Sequence, residues 1–466
     1  MVTQFQQSIP HTIKLEFADE PVTAFGGLVL IERLAAHLGL WRTLEGTLPA
    51  RRGHYGWGGL IKALVAGLLS GGTGTWAAEE VRQDAPLLGL LSLPEAAEEV
   101  TMWRALKPLA RELDELQKIQ TIWTRRMLAR ARRPSLLVEG FVPLFGDGTL
   151  LEGSRRREGT KFIADKGWGL LWATLWVGPL LAAQRLAPAG EGEISSVREM
   201  LRSVRRQLLK PLGFAKCALA LLDSLHANEG TLGLLENERL HYVVGANGLA
   251  ATAQTLADQP EGAWEQTGAQ RARGWADSGV CVCWLQCAQW ERKRLLVGRR
   301  WRHENEFLWH YAGVVTDLSE RGVAHVMSEH GLSFARAIWR LYDLKGGLET
   351  QFKDALSALD LHHPPCQEHA RNAAFYGIGA LAHTLGIGLE LLGRPAPAGA
   401  TQTAGQSRAR KRRPPRRMRL WRVRRALLAV PARVSRHARQ LVVRVLGLSE
   451  RRRRQFEHYF GALARC

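Results

Sequence analysis

The sequence contains little cysteine and shows no pattern that marks a secreted or membrane protein. Its 6 cysteines form no CxxC pair and no regular framework, which argues against a disulfide-stapled protein and suits a reducing compartment. The N-terminus lacks a basic stretch followed by an apolar run, so we expect no signal peptide. Two apolar runs, 167–184 and 372–392, contain a Gly-Pro turn and polar residues respectively, so we expect neither to span a membrane. These absences predict a soluble cytoplasmic protein.

Acidic residues are nearly absent from the C-terminal segment, where the positive charge of the chain is concentrated. Residues 401–466 hold 20 Lys and Arg and only 2 acids, so they carry +18 of the net charge of +20. A run rich in Pro, Ala and Gly at 393–405 predicts a linker. We therefore expect 394–466 to be a linker and a basic segment that binds a polyanion. The arginines assigned to phosphate contacts are Arg412, Arg413, Arg416 and Arg417.

The first 134 residues show mainly helical periodicity. Apolar residues recur at three- and four-residue steps over 26–48, 59–69 and 97–133. Several short helices with surface arginines are compatible with a DNA-binding module of the helix-turn-helix type. A dimerisation or packing domain fits the same pattern, so both alternatives stay open.

Two apolar, strand-like runs each end at an aspartate. The run 136–145 is followed by Gly-Asp-Gly-Thr with Asp147, and the run 217–222 is followed by Asp223. A helix at 228–239 and a strand at 241–245 would complete a β-α-β unit after Asp223. Ligands collect at the carboxyl ends of such strands, although Asp147 could instead belong to a turn and Asp223 to a helix cap.

The segment 247–316 differs in composition from its surroundings. It has short strand-like runs, several tryptophans and clusters of arginine, which predict a β-rich insertion. Aromatic rings among cations can stack on unpaired bases, and Trp284 and Trp290 are the candidates, although most of these tryptophans are expected to be core. Two further acids, Asp165 and Asp317, are alternative candidates for a site carboxylate. Asp317 ranks second to Asp223.

An amphipathic helix is predicted over 341–361. Lys345, Glu349 and Lys353 fall at i, i+4 and i+8, so one helical face presents a carboxylate between two cations. Two weak surface ion pairs would explain this pattern. Alternatively, Glu349 is a metal ligand and the lysines contact phosphates.

The order of these features and three motifs resembles the catalytic domain of bacterial insertion-sequence transposases of the DDE class. The motifs are GDGT at 146–149, LLDS at 221–224 and YDLKGGLETQFK at 342–353. The resemblance implies an α/β fold, in which an RNase H-like mixed sheet with flanking helices is interrupted by the β-rich insertion. It also implies five segments: a helical DNA-binding or dimerisation region at 1–134, catalytic parts at 135–246 and 317–393, the insertion at 247–316, and the basic C-terminal segment at 394–466.

The same resemblance assigns roles to individual residues. Asp147, Asp223 and Glu349 would be the catalytic carboxylates and would hold two Mg²⁺ ions, for which Mn²⁺ can substitute. The residues that would contact DNA are Tyr342, Lys345, Lys353, Trp284 and Trp290. Either tryptophan is a candidate to hold a flipped base in a hairpin intermediate.

The implied activity is DNA transposition in the bacterial cytoplasm, at the nucleoid. The enzyme would hydrolyse phosphodiesters at terminal inverted repeats and join the freed 3′-OH to target DNA, as a homodimer in the synaptic complex. One alternative is a catalytically inactive, transposase-derived DNA-binding protein, because Lys345 stands where Arg is usual and Leu356 where Lys is usual. Another is an RNase H-like nuclease without strand transfer.

Overall fold

A computed structural model describes residues 20–464, apart from 165, 191, 395–416 and 438–439. The side chains of residues 133, 271, 348 and 349 are not described. Within these bounds, the chain forms a mixed α/β structure in which helices pack around one large sheet.

The N-terminal part is helical, as its periodicity predicts. A short strand, β1 (Val22–Thr23), precedes the helices. These are α1 (Val29–His37), α2 (Leu40–Thr47), α3 (Trp57–Ser70), α4 (Trp76–Gln83), α5 (Ala85–Leu90), α6 (Glu99–Leu109), α7 (Leu113–Arg130) and α8 (Arg133–Leu136). Helix α3 is apolar on most sides and almost wholly buried, so it forms the centre of this helical layer.

The centre of the molecule is a 10-stranded mixed sheet. Its strands are β2 (Val142–Glu152), β3 (Lys161–Ile163), β4 (Gly167–Val177), β5 (Leu180–Pro188), β6 (Ala218–Leu222), β7 (His241–Gly245), β8 (Glu265–Gln266), β9 (Asp277–Leu285), β10 (Arg294–Arg302) and β11 (His310–Thr316). The spatial order is β3-β4-β2-β6-β7-β11-β10-β9-β8, and β5 also pairs with β4. Strands β2, β6 and β7 run parallel to one another. Strands β2, β4 and β5 form a three-stranded antiparallel meander.

The strand that carries Asp147 extends further than the sequence predicts. We expected a strand that ends before Asp147, but β2 places this residue in its middle. Parallel pairing with β6 stops at Gly146, opposite Leu222, whereas antiparallel pairing with β4 continues to the end of β2. The Gly-Asp-Gly-Thr stretch is therefore extended strand and not a turn, because β4 still pairs with its backbone after β6 has ended.

The α-helices that come next along the chain, after β5, lie between the later strands of the sheet or follow them. They are α9 (Glu193–Val204), α10 (Glu229–Asn237), α11 (Ala250–Ala257), α12 (Glu320–His330), α13 (Phe334–Asp343), α14 (Gly346–Ala358) and α15 (His369–Gly393). Helix α10 connects the parallel strands β6 and β7, so the predicted β-α-β unit is confirmed.

The single helix predicted over 341–361 is wrong, because the structure has two helices there. Helix α13 ends at Asp343 and α14 begins at Gly346. The adjacent glycines Gly346 and Gly347 are poor helix formers, which explains why the chain breaks between the two helices. Lys345 therefore stands at the start of α14 and not within a continuous helix.

Helix α15 is the longest helix of the described chain. Its length and composition would allow it to cross a membrane, but 94% of its most apolar window is buried inside the protein. It packs against β5 and against the N-terminal helices α3, α6 and α7. It therefore joins the helical layer to the sheet, as expected for a buried core helix.

The strands of the region 247–316 extend the main sheet. Strand β11 pairs antiparallel with β7, with Val314 opposite Gly245, and β10, β9 and β8 follow outward from it. The region is therefore β-rich, as predicted. Its strands belong to the same sheet as β2 and β6, which lead to Asp147 and Asp223.

The described C-terminal residues, 417–437 and 440–464, also pack into the molecule. They form α16 (Leu420–Val423), β12 (Ala432–His437), β13 (Gln440–Val445) and α17 (Glu450–Ala464). Strand β12 pairs with β1 in a three-stranded sheet, β1-β12-β13. Buried apolar side chains alternate with the arginines of this segment and include Leu420, Val423, Leu427, Leu428, Phe456 and Tyr459.

Candidate metal centre

Asp147 and Asp223 meet because they extend two neighbouring parallel strands. Gly146 of β2 lies opposite Leu222 of β6, and each aspartate is the next residue of its chain. Because parallel strands in register place equivalent residues side by side, both carboxylates emerge at the same point of the sheet. Asp223 also accepts a hydrogen bond from the Leu225 backbone N–H at 3.1 Å. The sequence-predicted pair is therefore together in space.

A third carboxylate, which sequence reasoning missed, joins this pair. Glu193 is the first residue of α9, after Gly192 in the left-handed conformation at φ 69°. Carboxylate oxygens of Asp147, Glu193 and Asp223 all lie within 4.8 Å of one another. An acid in the first turn of a helix is common for electrostatic reasons, so the pattern around Glu193 gave no signal of a site.

Gly148 makes room for the Glu193 carboxylate. A Cβ atom on Gly148 would lie 2.7 Å from Glu193 Cδ and 2.8 Å from Glu193 Oε2. Only a residue without a side chain allows Glu193 this close to β2. The space that the Glu193 carboxylate needs therefore explains why a glycine follows Asp147 in the GDGT motif.

The three acids are held close together with limited access to water. Burial raises the pKa of Asp147, the ammonium of Lys345 opposes this shift, and the charge of Asp223 adds to it. Burial, and then the charges of Asp147 and Asp223, raise the pKa of Glu193 to about 7. Like charges at this distance disfavour their joint ionisation, so the cluster would gain from a bound cation.

Lys345 supplies positive charge to the cluster. Its Nζ lies 3.1 Å from Asp147 Oδ2, and the two side chains are 20% and 22% exposed. The other oxygen of Asp147, Oδ1, accepts a hydrogen bond from the Gly148 N–H at 2.9 Å. Lys345 was predicted to contact phosphate, and here its ammonium neutralises a carboxylate.

Tyr342 also reaches the site, from the last turn of α13. Burial, followed by the charges of Asp223 and Asp147, raises the pKa of its phenol to about 12. Both Tyr342 and Lys345 of the third motif therefore lie near the aspartates of the first two motifs. Glu349 belongs to α14, which begins directly after Lys345, but its side chain is outside the described residues.

A buried histidine borders the cluster. His226 ends a single 3₁₀ turn, Ser224–His226, whose N-cap is Asp223, and it is 0% exposed. Its Nε2 lies 3.8 Å from Asp223 Oδ1 and 4.0 Å from Glu193 Oε1. Burial, which is opposed by the charge of Asp223, lowers the pKa of His226 to about 4. The imidazole is therefore neutral near pH 7 and offers one unprotonated nitrogen.

An open cavity of about 560 Å³ adjoins the carboxylates. Its lining includes Glu193, Arg198, Leu225 and Asn228. The guanidinium of Arg198 is a cation next to an acidic cluster, a combination that can receive a phosphate beside a metal ion.

The remaining acids do not join this cluster among the described residues. Asp317 accepts from the Tyr242 N–H and pairs with His241 at 2.9 Å, at the beginning of β7. Because β7 runs parallel to β6, this is the opposite end of the sheet from Asp223. Asp165 lies outside the described residues.

Of the two tryptophans predicted to contact DNA, Trp284 offers an accessible ring. Trp284 is 56% exposed, with Lys293 Nζ 5.3 Å from its ring centroid. Trp290 is 5% exposed and covered by the Arg294 guanidinium at 5.0 Å, so its ring is not open to a base in this conformation. Its burial agrees with the expectation that most tryptophans of this region are core.

The predicted cationic contacts are only partly described. Lys353 is exposed on α14. Arg417 is partly buried, and its charge interacts with that of Glu390. The other three arginines, Arg412, Arg413 and Arg416, lie outside the described residues.

The donor atoms of the cluster suit a divalent metal ion. Carboxylate oxygens are the ligands that Mg²⁺ and Mn²⁺ prefer, and three of them converge from β2, the end of β6 and the start of α9. The unpaired ring nitrogens of the buried His226 add a polar group that has no partner within the described protein. The residues present therefore fit a divalent ion at this end of the sheet.

No protein-family model matches the chain, and no curated protein matches its sequence. Among solved structures, the chain has a distant likeness to a chain in the cryo-EM structure of a piggyBac transposase synaptic complex with hairpin DNA. The two chains are 13% identical, and the match covers 77% of this chain and 73% of the other, with a TM-score of 0.37. A likeness this distant says nothing about the site.

Proposed function

We propose that this chain is a DNA transposase that cleaves phosphodiesters with divalent metal ions held at Asp147, Asp223 and Glu349. The observation that supports the proposal best is the convergence of three separate motifs. Asp147 and Asp223 extend adjacent parallel strands, and Lys345, four residues before Glu349, lies 3.1 Å from Asp147. This arrangement fits an RNase H-like sheet. Strands β2 and β6, which lead to Asp147 and Asp223, lie side by side, and β4 and β5 continue the sheet next to β2 as a meander.

The carboxylates would act by binding and positioning. Two divalent ions, when bound, supply positive charge that stabilises both the entering and the leaving oxygen of a phosphodiester. Asp223 is oriented by the Leu225 N–H, and Asp147 by the Gly148 N–H. These hydrogen bonds fix one oxygen of each carboxylate, which reduces the reorganisation needed before a substrate binds.

Lys345 would change partner during the reaction. Its ammonium lies 3.1 Å from Asp147 and balances the charge of that carboxylate. With a divalent ion held at Asp147, Lys345 would be free to contact a DNA phosphate as a point charge. The phosphate would lie in the adjoining cavity, where Arg198 supplies a second cation.

The complete activity would join two DNA ends and insert them into a target. Double-stranded DNA with terminal inverted repeats is the proposed substrate, and a homodimer would hold both ends. The basic C-terminal residues would add affinity without sequence information, since phosphate contacts carry none.

The test is a nicking and joining assay with the terminal repeats and a second, unrelated DNA molecule. We expect Mg²⁺-dependent cleavage and joining by the wild type, and neither by Asp223→Asn. Asp317→Asn is the matched control, because Asp317 is also a strand-end aspartate but lies at the other end of the sheet. Cleavage without joining would indicate a nuclease without strand transfer. Tight, salt-sensitive DNA binding without cleavage would indicate an inactive DNA-binding protein.

A further inference from the structure

The side chain of His226 is buried without a hydrogen-bond partner. It is 0% exposed, and both of its ring nitrogens are without a partner in the described protein. A buried polar group left unpaired destabilises the folded state, and most buried polar atoms in native proteins have a partner. An unpaired buried imidazole therefore indicates that a water molecule or an ion belongs beside it.

The Nε2 atom of His226 faces two carboxylates of the acidic cluster. It lies 3.8 Å from Asp223 Oδ1 and 4.0 Å from Glu193 Oε1. These separations are too long for hydrogen bonds. They suit donors that share one cation, because ions of this class hold nitrogen and oxygen ligands at about 2.0–2.6 Å, so two ligands of one ion lie up to about twice that apart.

Glu193 is held in place for this role. It begins α9, and its carboxylate occupies the space above Gly148 that a Cβ atom would fill. Asp223 and His226 are connected by one 3₁₀ turn, which fixes their spacing. The three donors therefore come from two rigid elements and do not depend on the helix that carries Glu349.

We propose that Asp223, Glu193 and His226 together bind one divalent cation of this site. The inference rests on the proposed function, because it assigns ligands to an ion of the same centre. Asp223 would be common to this subsite and to the one at Asp147. A donor set with an imidazole nitrogen favours Mn²⁺ over Mg²⁺, since Mg²⁺ prefers oxygen ligands alone.

The experiment is a titration of the full-length protein with Mn²⁺, followed by electron spin-echo spectroscopy of the bound ion. The wild type should bind two Mn²⁺ ions and show coupling to an imidazole nitrogen. In Glu193→Gln one of these ions should bind at least about tenfold more weakly. In His226→Gln the nitrogen coupling should also disappear. If His226→Gln does not fold, Glu193→Gln still tests the subsite by the same titration.

Glu199→Gln is the matched control. Glu199 lies on α9, its side chain is 65% exposed, and it pairs with Arg185 at 3.3 Å. This variant should bind Mn²⁺ as the wild type does. Two other clusters could also contribute nitrogen coupling, His303–Glu306–His310 and Glu139–Glu329–His330. The spectra are therefore repeated in a background that carries His310→Ala and His330→Ala.

The outcomes separate this subsite from the proposed function. If Asp147→Asn loses Mn²⁺ binding and DNA cleavage, while Glu193→Gln and His226→Gln bind two ions normally, this inference is overturned and the proposed function stands. If none of the variants changes Mn²⁺ binding and the wild type cleaves no DNA, both are overturned. Loss of one ion and of the nitrogen coupling in the two subsite variants supports the inference.

Discussion

Removal of the Lys345 charge should destabilise the metal-free protein and strengthen its response to metal. The substitution Lys345→Met keeps most of the length of the side chain and deletes the ammonium that lies 3.1 Å from Asp147. Asp147 would then remain in a cluster with Glu193 and Asp223 without its closest cation. The perturbation therefore tests whether the acids repel one another as their geometry implies.

The expected magnitude follows from the distance and the exposure. Two unit charges at 3.1 Å attract by about 5 kcal/mol at an effective dielectric constant of about 20. Both side chains are about four-fifths buried, so the ammonium has also lost much of its hydration in the folded state. The net loss in the free energy of unfolding should therefore be about 1–3 kcal/mol, between values for exposed and for fully buried pairs.

Urea denaturation with EDTA and with excess Mg²⁺ measures both effects. Lys345→Arg is the control, because it keeps a cation at this position. In EDTA, Lys345→Met should unfold at lower urea than Lys345→Arg. Mg²⁺ should stabilise Lys345→Met more than the wild type, since the ion need not displace an ammonium. Equal stability of the two variants in EDTA, with equal gains from Mg²⁺, would refute this reasoning.

Further predictions concern pH, packing and salt. In EDTA, His226→Gln should lose stability as the pH rises from about 4.5 through 7, because the pKa of Glu193 is raised to about 7. Glu193→Gln should instead lose stability as the pH falls from about 6.5 toward 4, because the pKa of His226 is lowered to about 4. If urea denaturation gives both variants the same slope of unfolding free energy against pH, both predictions are contradicted. Gly27→Ala should cost about 1–3 kcal/mol of unfolding free energy, since its Cβ would lie 1.8 Å from the backbone oxygen of Leu427, whereas Gly46→Ala, with open space around it, should not destabilise. If about six arginines of the C-terminal segment meet phosphates, the logarithm of DNA affinity should fall against the logarithm of salt concentration with a slope near −5, and a slope near zero in a binding titration would exclude this.

Sequence periodicity predicted some of the elements that surround the site, but not the break between α13 and α14 and not all of the site's residues. The β-α-β unit after Asp223 could be predicted, because strand, helix and strand each have a clear apolar pattern. The extension of β2 past Asp147 could not be predicted, since it depends on pairing with β4. Glu193 and His226 stand in stretches that look like an ordinary helix start and turn, and only tertiary folding brings them to the aspartates.

The packing of the C-terminal segment could not be predicted from its composition. A stretch with this excess of arginine predicts a solvated, polyanion-binding segment. The structure buries its apolar residues, packs α17 against α1 and α15, and pairs β12 with β1, although β1 and β12 lie far apart along the chain. Such long-range pairing leaves no local pattern, because it depends on complementary surfaces and not on periodicity within either segment.

The most direct test of the central claim is metal rescue of DNA cleavage at Asp147. Asp147→Cys replaces a hard oxygen ligand with a soft thiolate, which binds Mg²⁺ poorly and accepts Mn²⁺ more readily. If Asp147 holds a divalent ion during cleavage, the variant should not nick repeat-bearing DNA in Mg²⁺ and should regain nicking in Mn²⁺, while the wild type nicks in both. Nicking by Asp147→Cys at the wild-type rate in Mg²⁺, or wild-type cleavage that persists in EDTA, would contradict the account.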